Sequence, residues 1–233
     1  MKNKIKKMDE AAWLLGIILC ALGVCLCTKA NFGLSMIAAP AYVVFRKLSI
    51  FLPFLTQGMT EYLWQALLLV VTCLIVRRFR LRYVFTFLTA VLFGFALDGW
   101  LWVFGGGDPF QSLVARIISF AAGALITTLS IAFFFRTSLP REVYELTVAE
   151  IADRYNLNVD RVKLFNDLIF LALSIGLTLL LHGDFVGVGI GTVVVTFINA
   201  PLISFFGKIL DKIFDFSPRF PRLANLLHPE NKQ

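Results

Sequence analysis

The sequence predicts an all-α, polytopic helical membrane protein with six transmembrane helices and two short interfacial or re-entrant helices, arranged as 3+3 inverted repeats. Three observations predict it. Of 233 residues, 58% are hydrophobic and 16% charged, against roughly 45–50% and about 25% in soluble domains. The apolar residues form long runs without period-2 alternation, which disfavours a β-barrel. The basic residues cluster between alternate runs, the pattern that orients helices in a bilayer. A water-soluble monomer is excluded.

A helix crosses about 30 Å of hydrocarbon in roughly 20 residues. The apolar runs fall at 11–27, 62–76, 83–104, 113–135, 164–181 and 186–209. Lys2, Lys4, Lys6 and Lys7 precede the first run and make it look like a signal peptide, but no small-x-small cleavage site follows. Ile17, Ile18 and Leu19 before Cys20 also lack the small residue of a lipoprotein signal, so the helix is read as part of the mature protein. With a cytoplasmic amino terminus, all but Lys29, Arg46, Lys47 and Arg116 of the 22 Lys and Arg residues fall on the cytoplasmic side. Both termini are therefore placed in the cytoplasm, with localisation in the cell inner membrane. The net charge of +7 is then a topology signal and a contact with anionic membrane lipids, not a nucleic-acid surface.

Segment 31–58 follows a helix that exits and precedes one that must start on the same side, so it is expected to hold a short outer helix at about 34–48. Its counterpart, opened by Leu139-Pro140-Arg141-Glu142, is a short cytoplasmic helix at about 140–155. Proline suits a first helical turn and Glu142 suits the positive helix end. The stretch 147–162 superficially resembles half of a helix-turn-helix, but because it continues into a crossing it is read as an amphipathic interfacial helix. Each half then reads helix, short helix, helix, helix. Leu34-Ser35 matches Leu139-Pro140, Gln65 matches Asn166, Thr86 matches Thr192 and Gly94 matches Ala200. The first half (1–107) starts inside and the second (108–210) outside, leaving a cytoplasmic tail at 211–233. Inverted repeats with short helices are a recurring transporter architecture.

Gly16 with Ala21-Leu22-Gly23, Phe32-Gly33-Leu34-Ser35, Thr56-Gln57-Gly58, Leu139-Pro140-Arg141-Glu142 and Gly187-Val188-Gly189-Ile190-Gly191-Thr192 together resemble the YczE/YyaS/YitT group of bacterial membrane proteins. Asn199-Ala200-Pro201 departs from the Gly-Pro of that pattern, and Ser138-Leu139 from the glycine often found before Pro140. The resemblance implies a bacterial inner-membrane protein, suggests transport and supplies no catalytic residues.

An ionisable residue within a bilayer costs about 2.5 kcal/mol or more and is a functional candidate by default. Asp98 and Arg116 flank the Gly105-Gly106-Gly107-Asp108 loop at similar depth and are read either as a helix-locking ion pair or as the walls of a solute site. Glu61 and Gln65 share one helix face. Gln65 and Asn166 would make a pseudo-symmetric amide pair on the repeat axis, unless they lie near opposite surfaces. Asn199 beside Pro201 either offers a freed carbonyl to a solute or marks a proline kink with Asn199 hydrogen-bonded to a neighbouring helix. Ser35, opening the outer short segment, completes the candidates for substrate binding. His182 and Asp184 are read as a solvated loop. Cys20, Cys25, Cys27 and Cys73 are read as packing residues, so neither a disulfide, a metal nor a cofactor is expected. The glycines of 187–191 lack the lysine of a phosphate loop and suit close helix packing.

With no ATP motif and no nucleophile–base pair, the expected function is not enzymatic. It is secondary transport of a small solute by alternating access between the halves. The alternative is a non-transporting accessory or regulatory protein that binds a lipid, ligand or partner protein. Glycine-rich faces permit a homodimer.

Overall fold

A computed structural model describes residues 8–218, which form eight helices and no β-sheet. They are α1 (Asp9–Ala30), α2 (Ala39–Leu48), α3 (Gln57–Val76), α4 (Leu81–Val103), α5 (Leu113–Phe134), α6 (Val143–Tyr155), α7 (Val159–His182) and α8 (Ile190–Ile213). Six of them, all but α2 and α6, are long and apolar enough to cross a membrane. Their outward faces carry bare apolar side chains such as Leu74, Leu180, Phe197 and Ile190, the surface that lipid covers. The chain is a multi-pass membrane protein. The amino-terminal lysines and the basic residues of the tail from 219 onward lie outside the described residues.

The crossings begin where a side chain caps them. Thr56 Oγ1 accepts the Met59 N–H, starting α3 five residues before the apolar run. Asn158 Oδ1 accepts from Asp160 and Arg161 and brings Lys163 into α7. The run predicted from 186 starts as a helix only at Ile190, because Gly187, with φ +72°, turns the chain first. At the centre α1 and α5 cross backbone to backbone. A Cβ on Gly23 would stand 2.8 Å from the Gly123 carbonyl oxygen, so only glycine permits the approach. Gly58 and Gly94 join α3 to α4 in the same way.

Of the two readings open for the short helices, interfacial or re-entrant, the structure takes the second, and it corrects the interfacial reading of the 140–155 helix. Neither lies along the surface. In α6 every residue from Val143 to Val148 is buried, which a helix with one wetted face cannot achieve. The end of the bundle where α1 begins is the near end, and the end where α1 finishes is the far end. From the near end the chain runs inward through Ser138, whose N–H donates to the Asp9 carboxylate (2.7 Å). It continues to Pro140, whose carbonyl accepts from Trp13 Nε1 (2.9 Å) and Thr89 Oγ1 (3.0 Å). Glu142 reaches Cys20, halfway along α1. From there α6 returns to the near end, where the Tyr155 hydroxyl donates to the Ile75 carbonyl (3.1 Å).

The other short helix mirrors this from the far end. Leu34 N–H donates to the Gly187 carbonyl and Gly191 N–H to the Phe32 carbonyl, both at 3.0 Å. Met36 reaches Ser174, well inside α7, and α2 then runs back out to Val43, whose carbonyl lies 3.0 Å from the His182 ring. His182 is thus packed against α2 rather than free in a solvated loop. Met36 and Ile37 at the tip of α2 pack with Tyr144 at the tip of α6 and with Phe170. Both segments are re-entrant. Non-helical backbone survives at this depth only because protein groups satisfy it.

Candidate functional site

Asp98 and Arg116 do not meet. Asp98 accepts from Thr56 Oγ1 (2.6 Å) and from the Gly58 N–H (2.8 Å), so it satisfies the open amino-terminal end of α3. Arg116 donates to the carbonyls of Ala30 (2.7 Å) and Asn31 (3.1 Å) and stacks over the Phe32 ring, closing the carboxyl-terminal end of α1. Each is drawn to the partial charge of a nearer helix end, and the ion pair read from their spacing does not form.

Gln65 and Asn166 are not brought together either. Gln65 is fully buried and its Oε1 accepts the Val143 N–H (3.2 Å) at the start of α6, whereas Asn166 is half-exposed on α7. Asn199 accepts from Thr128 Oγ1 (3.2 Å) inside a continuous α8, so Pro201 bends no gap into that crossing. Ser35 lines, with Asn199, Thr127 and Thr128, a cavity of about 10 Å³, room for about one water molecule. Its hydroxyl has no hydrogen-bond partner among the described residues.

Around the tip of α6 the picture changes from neutral to ionisable. Glu61 on α3 accepts from the Tyr144 hydroxyl (3.1 Å) and is 3% exposed. Glu142 (4%) and Glu145 (3%) bracket Tyr144 in sequence, and Glu142 lies against both Cys20 and Gln65. On α7, Lys163 reaches Asp167 at 3.5 Å, and the pair faces Glu145. Three atoms here have no hydrogen-bond partner among the described residues: Glu142 Oε1, Glu145 Oε2 and Gln65 Nε2. Buried polar groups are satisfied in the great majority of cases, so these three atoms leave hydrogen-bonding capacity open at the tip of α6. Of this cluster, the sequence reading proposed only Glu61 and Gln65 as ligands. Glu142 is read there as a helix-start residue, and Tyr144, Glu145, Lys163 and Asp167 are not among the candidates. The signal for Glu142, Tyr144 and Glu145 was their spacing in a segment taken to be interfacial, where acids are unremarkable.

The arrangement can hold protons or a small cation among carboxyls with an amide and a phenol beside them, at mid-depth between two helix tips. No three carboxyl, thiol or imidazole groups among the described residues converge as a metal ion needs.

A model of a family of unknown function (DUF6198) matches residues 7–208. The uncharacterized protein YyaS of Bacillus subtilis (strain 168) is 25% identical over 203 residues, covering 86% of this chain and 92% of that protein. This agrees with the motif resemblance drawn above. No solved structure matches significantly.

Proposed function

The chain belongs to the DUF6198 family, and from that premise we propose that it is a secondary transporter of the bacterial inner membrane. In this reading it moves a small solute by rocking one inverted half against the other, with both termini in the cytoplasm. One observation carries it: α2 and α6 enter from opposite ends, and Met36 and Ile37 just before α2 share one buried apolar cluster with Tyr144 of α6 and Phe170 of α7. Broken or half-helices meeting at mid-depth are how secondary transporters build sites that two sides can reach in turn.

The neighbour relations support inverted repeats. Exchanging α1 with α5, α2 with α6, α3 with α7 and α4 with α8 turns α1–α4 packing into α5–α8, α2–α7 into α6–α3 and α2–α3 into α6–α7, and all of these pairs touch. The halves are not identical. Gly58 and Gly94 bring α3 against α4, while the position of α8 matched to Gly94 is Ala200 and α7 packs against α8 far less extensively. Such a difference between related halves is what one state of a rocking cycle requires. The side assignment rests on Arg77, Arg78, Arg80, Arg82, Arg136 and Arg154, all near one end.

The test is flux of a panel of labelled small solutes into proteoliposomes, using protein whose four native cysteines are replaced and whose Met36 and Tyr144 are changed to Cys. At least one solute is expected to enter, and a thiol cross-linker joining the two tips is expected to stop it. Absence of flux across the panel, with a partner protein co-purifying stoichiometrically, would replace transport with an accessory role.

A further inference from the structure

We propose that the carboxyl cluster at the tip of α6 is a proton-loading site, with Glu142 and Glu145 as the groups that take up and release the proton. Its use as the driving step of solute movement rests on the transport reading above. The binding of the proton does not.

The groups facing Glu142 and Glu145 come from every element around them. They are Cys20 on α1, Glu61 and Gln65 on α3, Arg141 and Tyr144 on the re-entrant segment itself, and Lys163 and Asp167 on α7. From α5, Ser130 lies beside Cys20, and from α4, Arg82 faces Arg141. Within this set Glu61, Glu142, Glu145 and Asp167 are acids, and Lys163 and Arg141 are the cations set against them. Lys163 is already engaged with Asp167, and Arg141 stacks on Phe135. Arg82 is committed to Glu150. If every acid were ionised, the cluster would hold more negative than positive charge in a nearly dry interior, which is far costlier than in water. Protons or cations must supply the balance. Gln65 and the Tyr144 hydroxyl, a neutral amide and a phenol beside the carboxyls, suit a protonated carboxyl, and the proton is the ligand proposed.

The open hydrogen-bonding capacity at the tip of α6 adds an independent observation. Gln65, a fully buried amide on another helix, is directed at Glu142, and Glu142 Oε1, Glu145 Oε2 and Gln65 Nε2 make no hydrogen bond of full geometry among the described residues. These atoms stand at the start of α6, halfway along α1. The step is simple. A proton leaves a hydronium ion at one face, binds the Glu142 or Glu145 carboxylate and neutralises it. It departs to water when the site opens to the other face, leaving the carboxylate as before.

The experiment uses purified full-length protein in lipid nanodiscs, followed by infrared difference spectroscopy from roughly pH 5 to pH 9. The expected result is a protonated-carboxyl carbonyl band that disappears as pH rises and loses about half or more of its amplitude in Glu142→Gln. Because that variant could fail to fold, the wild-type protein is also treated with a carbodiimide, which modifies protonated carboxyls in apolar surroundings. Mass spectrometry is expected to find the label on Glu142 or Glu145 at low pH, with several-fold less at high pH. A titrating band unchanged by Glu142→Gln and Glu145→Gln, with no label on either residue, overturns the proposal. So does a sodium-dependent rise in melting temperature at fixed pH that vanishes in Glu142→Gln, since that would make a metal cation the ligand. Proton binding without flux in the proteoliposome panel would reject transport and leave the site standing. Flux indifferent to a pH gradient, with no titrating carboxyl, would do the reverse.

Discussion

The two re-entrant segments follow one path through the bundle and are held by different means. The leg into α2 is satisfied by backbone: Gly191 N–H to the Phe32 carbonyl, Leu34 N–H to the Gly187 carbonyl, and Gly33 at φ +106° where the chain turns inward. The leg into α6 is satisfied by side chains: Asp9 on Ser138, Trp13 and Thr89 on Pro140, Gln65 on Val143. Backbone pairing demands close approach, and therefore glycine and a neutral surface. Side-chain pairing brings polar groups inward, and the α6 tip carries Glu61, Glu142 and Glu145 where the α2 tip carries a single serine. The same architectural device thus yields one tip that closes and one tip that can titrate.

The comparison breaks most severely at Gly33. A side chain there would occupy a left-handed conformation costing ~1–3 kcal/mol, and its Cβ would lie 2.7 Å from the Gly189 nitrogen, adding overpacking of ~1–3 kcal/mol. Gly33→Val is expected to abolish the monodisperse peak in size-exclusion chromatography of detergent extracts. A normal peak would mean that the α2 leg does not depend on backbone closure. The next effect lies at the near end of α6, where Glu150, 2% exposed, is paired with Arg82 and lies 3.8 Å from Arg80. Removing one partner of a buried pair costs about 3 kcal/mol or more, so Arg82→Leu should lower the melting temperature clearly. The matching contact on α2, the His182 ring on the Val43 carbonyl at 3.0 Å, is a single hydrogen bond of about 1 kcal/mol. His182→Ala should therefore lower it less.

The crossings were legible because twenty apolar residues in a row have one meaning in a bilayer, and the caps Asn158 and Thr56 shifted their starts by only a few residues. The re-entrant path was legible only as one of two alternatives, and for α6 the sequence favoured the other. Val143 to Tyr155 has the mixed composition of an interfacial helix, and only its burial by α3, α4 and α7 distinguishes the two. Pro140 looked like a first helical residue, yet α6 starts three residues later, because Trp13 and Thr89 hold its carbonyl in an extended leg. Asp98 and Arg116 illustrate the same limit. Sequence proximity across a short loop suggested a pair, while the stronger attraction was to helix ends contributed by residues 56–58 and 30–31. Glu61 and Gln65 were legible, since four-residue spacing is a local property; what they face is not.

Two smaller effects sharpen the contrast between the tips. Gln65→Leu keeps the volume near that of the native side chain but strands the buried Val143 N–H, at a cost of ~1–3 kcal/mol. It should lower the melting temperature and speed amide exchange at the start of α6, with α2 unaffected. Equal acceleration at both tips would show that they are held as one unit.

Ser35→Ala should do almost nothing. The Ser35 hydroxyl is buried without a partner beside a cavity of about 10 Å³, so its removal deletes an unsatisfied group and strands no other, leaving stability unchanged or raised by up to ~1 kcal/mol. The α2 leg would then be maintained chiefly by the backbone bonds of Phe32 and Leu34, with the Ser174 hydroxyl on the Met36 carbonyl. A fall of several degrees in the melting temperature of Ser35→Ala would mean that the hydroxyl is engaged. Both tips would then be held by side chains, and the division between a closing tip and a titrating tip would be lost.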